Sequence, residues 1–113
     1  MFTPDDTIVA VATPPGRGGV GVVRISGPGA VAIAGRLLDR VEDLKPRYAT
    51  LARILDHGQG PTPSGIDQVI ATFFPLPGSY TGEDVVELSA HGSPVLLERI
   101  IGLCLALGAR LAE

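Results

Sequence analysis

The sequence predicts an α/β fold of the α+β kind: a mixed β-sheet of about five strands with two helices packed on it. Three observations carry this. Short β-branched apolar runs recur between clusters of Gly, Pro and Asp. Two longer segments space their apolar residues as helices do. Their order reads β-β-α-β-β-β-α with a possible last strand, which neither an all-helical chain nor a regular βαβ alternation produces.

Residues 7–12 (TIVAVA) form the first run, closed by Pro14-Pro15, and predict a strand. Residues 13–19 (TPPGRGG) combine three glycines with two prolines and predict a loop. Residues 20–26 (VGVVRIS) predict a second strand, stopped by Gly27-Pro28-Gly29. Pro28 suits the first turn of a helix, and Val31, Ile33, Ala34, Leu37 and Leu38 keep helical spacing to Arg40. Charged residues and Pro46 make 41–47 a connector. Residues 48–56 and 66–74 alternate as strands around the turn-rich HGQGPTPSG, and so predict a long-tipped hairpin. After the loop 75–84 comes a strand at 85–90 (VVELSA). Ser93 as N-cap and Pro94 at the first helical position start a helix that runs to about Leu107, with Gly108 as its stop. Residues 109–113 could open another strand. The second helix is apolar around most of its circumference, interrupted by Glu98, Arg99 and Gly102. The sheet covers one side of it. A partner subunit, further chain, or the first helix and the loops must cover the rest.

Composition narrows the function classes. Of 113 residues, 45% are hydrophobic and the formal charge is −3, so the chain is not compositionally disordered. The length suits one domain, 1–113. Fifteen glycines and ten prolines are concentrated rather than periodic, which excludes a collagen-like chain. A lone cysteine, Cys104, makes no internal disulfide. There is neither a signal-peptide pattern nor a membrane-length apolar run, and the expectation is a soluble, cytoplasmic domain with no membrane partner. The acidic balance and scarcity of aromatics disfavour a broad nucleic-acid footprint.

Several motifs fail on context. Gly16-Arg17-Gly18-Gly19-Val20-Gly21 matches the dinucleotide-binding glycine pattern, but a strand signature follows where a helix must. It leaves a ligand-contacting glycine loop or a tight turn. A phosphate-binding loop needs Gly-Lys-Ser/Thr, whereas the only lysine, Lys45, lies between Leu44 and Pro46. One cysteine and two scattered histidines, His57 and His91, do not form a zinc site.

Two charges inside apolar strands are stronger leads. Alternation puts Val23 and Ile25 on one face of their strand, and Val22, Arg24 and Ser26 on the other. It likewise separates Val86, Leu88 and Ala90 from Val85, Glu87, Ser89 and His91. If the strands are neighbours, Arg24 and Glu87 point into one cleft, where a carboxylate accepts two parallel N–H donors and a guanidinium reads a carboxylate in bidentate fashion. A structural Arg–Glu pair or two separate surface charges are the alternatives. The loop Ser79-Tyr80-Thr81-Gly82-Glu83-Asp84, at a strand end beside Glu87, is a further ligand-contact candidate or a solvated turn.

Two blocks carry a family resemblance. Asp6-Thr7-Ile8-Val9-Ala10, followed by Ala12 through the glycine loop to Arg24-Ile25-Ser26-Gly27, resembles the first N-terminal signature of the tRNA-modification GTPase family MnmE (TrmE). Ser79 through Glu87-Leu88, with His91-Gly92, resembles the second. Ser93 stands where the family more often has another glycine. The resemblance implies a domain similar in fold to the tetrahydrofolate-binding domain of aminomethyltransferases. It implies homodimerisation through this domain and binding of 5-formyltetrahydrofolate or another tetrahydrofolate derivative, the one-carbon donor. The folate-contacting arginine and glutamate fall on Arg24 and Glu87, with Arg17, Gly19, Tyr80 and Thr81 of the two signature loops as further cofactor-binding candidates. A further basic contact lies downstream in the family. GTP, Mg and K belong to a G domain outside this sequence; the FAD-dependent partner MnmG (GidA) and tRNA belong to the full-length protein. The fragment itself is expected not to be catalytic. A pure dimerisation module and a free-standing folate-dependent aminomethyltransferase are the rival readings.

Overall fold

The computed structural model describes residues 7–12, 20–40, 44–56, 64–75 and 83–112. The element order is β1 (Ile8–Val11), β2 (Val20–Ser26), α1 (Ala30–Leu37), β3 (Thr50–Asp56), β4 (Ser64–Phe74), β5 (Val85–His91), α2 (Pro94–Ala106) and β6 (Arg110–Leu111). The strands form one sheet in the order β3-β4-β5-β2-β1-β6. The β1–β6 pair is parallel and the other neighbours are antiparallel. The fold is therefore α+β with a mixed sheet. It has six strands rather than about five, because the segment after α2 does open a short strand, beside β1.

Both helices pack on one face. α1 meets β3 and β5, and α2 meets β1, β2 and β5. Val9, Val23, Ile25, Ile54, Val69, Ala71, Val86 and Leu88 line that face and are buried against Ile33, Leu37, Leu97, Ile100 and Cys104. Among them Val23 and Ile25 on β2, and Val86 and Leu88 on β5, are the apolar sets that alternation selects.

Local chemistry explains the boundaries. Gly27 adopts φ +132°, a left-handed value that favours glycine, and turns the chain out of β2. α1 then starts at Ala30 with Gly29 as its N-cap, and the Gly29 N–H donates to Thr7 Oγ1 at 2.7 Å. Pro28 lies before the helix rather than in its first turn. The helix stops at Leu37, short of Arg40, because Leu38 becomes extended and bridges to Ile54. Asp39 follows along the same edge: its N–H donates to Arg53 O, and its Oδ1 accepts the Arg53 N–H. The exposed edge of β3 is thereby partly capped.

β4 begins at Ser64, two residues before the predicted start. In α2, Ser93 Oγ accepts the Leu96 N–H and Pro94 occupies the first turn, as the sequence predicts. The helix closes with Gly108 at φ +112°. The Gly108 N–H donates to Leu105 O and the Ala109 N–H to Cys104 O, a Schellman pair that satisfies the last carbonyls. Leu97, Ile100 and Cys104 are buried, whereas Val95 and Leu105 on the outer stripe stay exposed beside Glu98, Arg99 and Gly102.

Candidate functional site

The second face of the sheet carries neither helix. Its side chains follow from register, since directly paired residues share a face and lie about 5 Å apart at Cβ. Arg24 pairs with Glu87, Glu87 with Thr72 and Arg24 with Ala10, giving the row Thr72–Glu87–Arg24–Ala10 across four strands. The next row is Leu51–Ile70–Ser89–Val22. On the other side lies Phe74–Val85–Ser26–Ile8.

Arg24 and Glu87 are in direct contact. Nη2 donates to Oε2 at 2.9 Å and Nε donates to the same oxygen at 3.0 Å. The side chains retain 34% and 23% exposure, so the pair is half-buried and reachable from solvent. Each strand has its other face in the core: Val23 and Ile25 flank Arg24, and Val86 and Leu88 flank Glu87, all fully buried. Rigid backbone thus holds two opposite charges at the centre of the sheet face opposite the helices. A carboxylate here can accept N–H donors, and a guanidinium can bind an oxygen or a second carboxylate.

Of the other candidate contacts, Arg17, Gly19, Tyr80 and Thr81 lie outside the described residues. The described strand ends that flank them lie at opposite ends of the sheet. The β1–β2 connection starts from Val11 and Val20, beside His91, whereas the β4–β5 connection starts from Phe74 and Val85, beside Ser26. Six residues separate Val20 from Ser26, a strand length of about 20 Å. The Arg24–Glu87 row stands between the two ends.

Gly21 plays a packing role. It lies inside β2, and a Cβ there would meet Leu97 Cδ1 at 2.7 Å, so the bare backbone lets α2 approach the sheet. A strand follows it, and the dinucleotide pattern lacks its helix. Cys104 is fully buried and burial pushes its thiol up to about 12, consistent with core packing.

Register also reveals residues that sequence reasoning did not single out. Thr72 and Ile70 join the face of Arg24 and Glu87 because β4 pairs with β5, and the alternation of 66–74 was the signal that could have found them. At the far end His91 Nδ1 meets Asp67 Oδ2 at 3.2 Å. This hydrogen bond, with the Gln68 N–H on Oδ1, holds the Asp67 carboxyl below its usual 3.8. Among the described residues no cluster of His, Cys, Asp or Glu could hold a metal ion, and no helix is long and apolar enough to cross a membrane. A pocket of about 200 Å³ lies on the helix side, lined by Val31, Leu44, Phe73 and Val86. It is apolar and does not include the charged pair.

The family model described as "GTP-binding protein TrmE N-terminus" matches residues 7–113. Similar proteins include the "tRNA modification GTPase MnmE" of Azoarcus sp. (strain BH72), 53% identical over 110 residues. That of Nitrosomonas europaea is 50% identical over 112 residues, and that of Thiobacillus denitrificans 52% over 108. These alignments cover 97%, 99% and 96% of this chain but only 23%, 24% and 23% of the relatives, so the chain spans about a quarter of their length. A match along nearly the whole chain, with half the residues identical, places the chain in the family of the TrmE N-terminus, as the N-terminal domain of an MnmE protein.

Proposed function

We propose that this domain binds a tetrahydrofolate derivative on the sheet face opposite the helices, at Arg24 and Glu87, and that it forms a homodimer. The observation that carries the reading is the geometry of the pair: opposite charges in contact, half-exposed and centred on a rigid sheet face. The residues fit the ligand's chemistry. The pterin ring presents adjacent N–H donors on one edge, which a carboxylate accepts in parallel, and a ring oxygen, which a guanidinium binds. Binding would exchange part of the Arg24–Glu87 contact for contacts to the ligand. Arg24 lies in the first and Glu87 in the second of the blocks that resemble the family's N-terminal signatures, which supports the assignment. Exposed Val95 and Leu105 on α2 support a further contact surface.

In the full-length protein the bound folate would supply a one-carbon unit for modification of the wobble uridine of tRNA, in the cytoplasm, together with the FAD-dependent partner MnmG. GTP, Mg and K would act in a separate G domain. The domain itself has no catalytic role in this reading.

Calorimetry with 5-formyltetrahydrofolate tests the ligand. Binding by the wild-type chain, lost in Arg24→Ala and Glu87→Ala, supports it; no binding at millimolar ligand by a folded protein leaves a dimerisation module. Sedimentation tests the dimer, and a monomer at high micromolar concentration rejects it.

A further inference from the structure

We infer that the flat ring system of the bound folate rests on Ile70 and Leu51, with the Ser89 and Thr72 hydroxyls as polar positioning contacts beside Glu87. The inference rests on the proposed folate site and assigns the direction in which the ligand leaves it.

The argument begins with accessible surface around the charged row. On one side of Glu87 and Arg24 the next row contains Val85 and Ser26, which are 0% and 6% exposed and offer a ligand almost no surface. On the other side the row is Leu51–Ile70–Ser89–Val22. There Leu51 is 51% and Ile70 38% exposed, and the two are directly paired. They are large apolar side chains on a face that no helix covers, while their strand neighbours Ala52, Val69 and Ala71 fill the core. Toward β1 the charged row ends on Ala10, whose methyl gives little to stack on.

Distance fits the assignment. Ile70 is one strand across and one row along from Glu87, about 8 Å by strand spacing and rise. A ring edge held by the Glu87 carboxylate would then lay its face over Ile70, with Leu51 beyond. Thr72 is directly opposite Glu87, and Ser89 is two residues along the same strand on the same face. Both hydroxyls donate and accept, as the mixed rim of a pterin requires. The platform is apolar and its border polar, the arrangement that holds an amphipathic aromatic ring.

The test compares affinities of the 113-residue chain for 5-formyltetrahydrofolate by calorimetry, with urea unfolding as the check on folding. The Leu51→Ser/Ile70→Ser double variant is expected to bind about tenfold more weakly, from lost apolar contact. Thr72→Val is expected to weaken binding about fivefold, from one lost hydrogen bond. Glu87→Ala reports the underlying reading separately. If Glu87→Ala abolishes binding while the double variant and Thr72→Val bind as wild type, the platform is wrong and the folate site stands. If the wild-type chain does not bind, both are wrong. Should the double variant unfold, intermolecular NOEs in the wild type decide instead. Contacts from ring protons to the Ile70 and Leu51 methyls are expected, and contacts only to Ala10 and Ile8 overturn the inference.

Discussion

Removing the Arg24–Glu87 contact should cost the fold little, and that small cost is what separates a ligand site from a structural bond. The two donors converge on one carboxylate oxygen at 2.9 and 3.0 Å, a good geometry. Yet the side chains keep 34% and 23% exposure, so water screens the attraction and neither ion is fully desolvated. For an ion pair in this environment the coupling is about 0.2–1 kcal/mol, the range also found for opposite charges facing each other across strands. A fully buried pair behaves differently, since losing one partner strands a charge at a cost of about 3–5 kcal/mol. The assay is a double-mutant cycle by urea denaturation: wild type, Arg24→Ala, Glu87→Ala and both together. A coupling near or below about 1 kcal/mol, with each single variant still cooperatively folded, is the expected result. A coupling above about 3 kcal/mol, or a single variant that does not fold, would show that the pair exists to hold the sheet together.

Other outcomes follow from the packing. Gly21→Ala should destabilise by about 1–3 kcal/mol, because the new methyl collides with Leu97, itself packed in the core; a neutral effect in urea unfolding would contradict that fit. Gly108→Ala should cost about 1 kcal/mol, since φ +112° is costly for any residue with a Cβ. Cys104 should react with a thiol reagent only as fast as the protein unfolds, given its burial and its thiol pushed up to about 12; rapid labelling of the native protein would refute this. The Asp67 carboxyl is held below its unfolded value, so the stability it contributes is present above about pH 4 and fades as pH falls through the folded-state value. Asp67→Asn should therefore flatten the acid limb of the stability curve, and an unchanged limb would place the charged form's partner elsewhere.

Much of this architecture was legible because the deciding signals are local. Val23 and Ile25 against Arg24, and Val86 and Leu88 against Glu87, show period-two alternation within single strands, and the sheet uses both as read. Ser93, Pro94 and Gly108 bound α2 through backbone chemistry that needs no tertiary partner. What was not legible depends on partners distant in the chain. Alternation put Arg24 and Glu87 on defined faces, but only the β2–β5 register, across sixty-three residues, puts them opposite one another. α1 ends before Arg40 because Leu38 turns extended to pair with Ile54, a partner sixteen residues away that helical spacing does not show. Pro28 reads as a helix-start residue, but Gly27 and Gly29 spend it in the preceding turn. Thr72 and Ile70 gained significance only from their neighbours on β5 and β3.

One measurement addresses the central claim most directly: a titration of the isotope-labelled 113-residue chain with 5-formyltetrahydrofolate, followed by amide chemical shifts. A ligand on the sheet face opposite the helices should move the signals of Arg24, Glu87, Thr72 and Ser89 most, saturably and together, and leave α1 nearly still. No saturable shift, or shifts confined to Val31, Leu44 and Phe73 around the pocket on the helix side, would contradict the account.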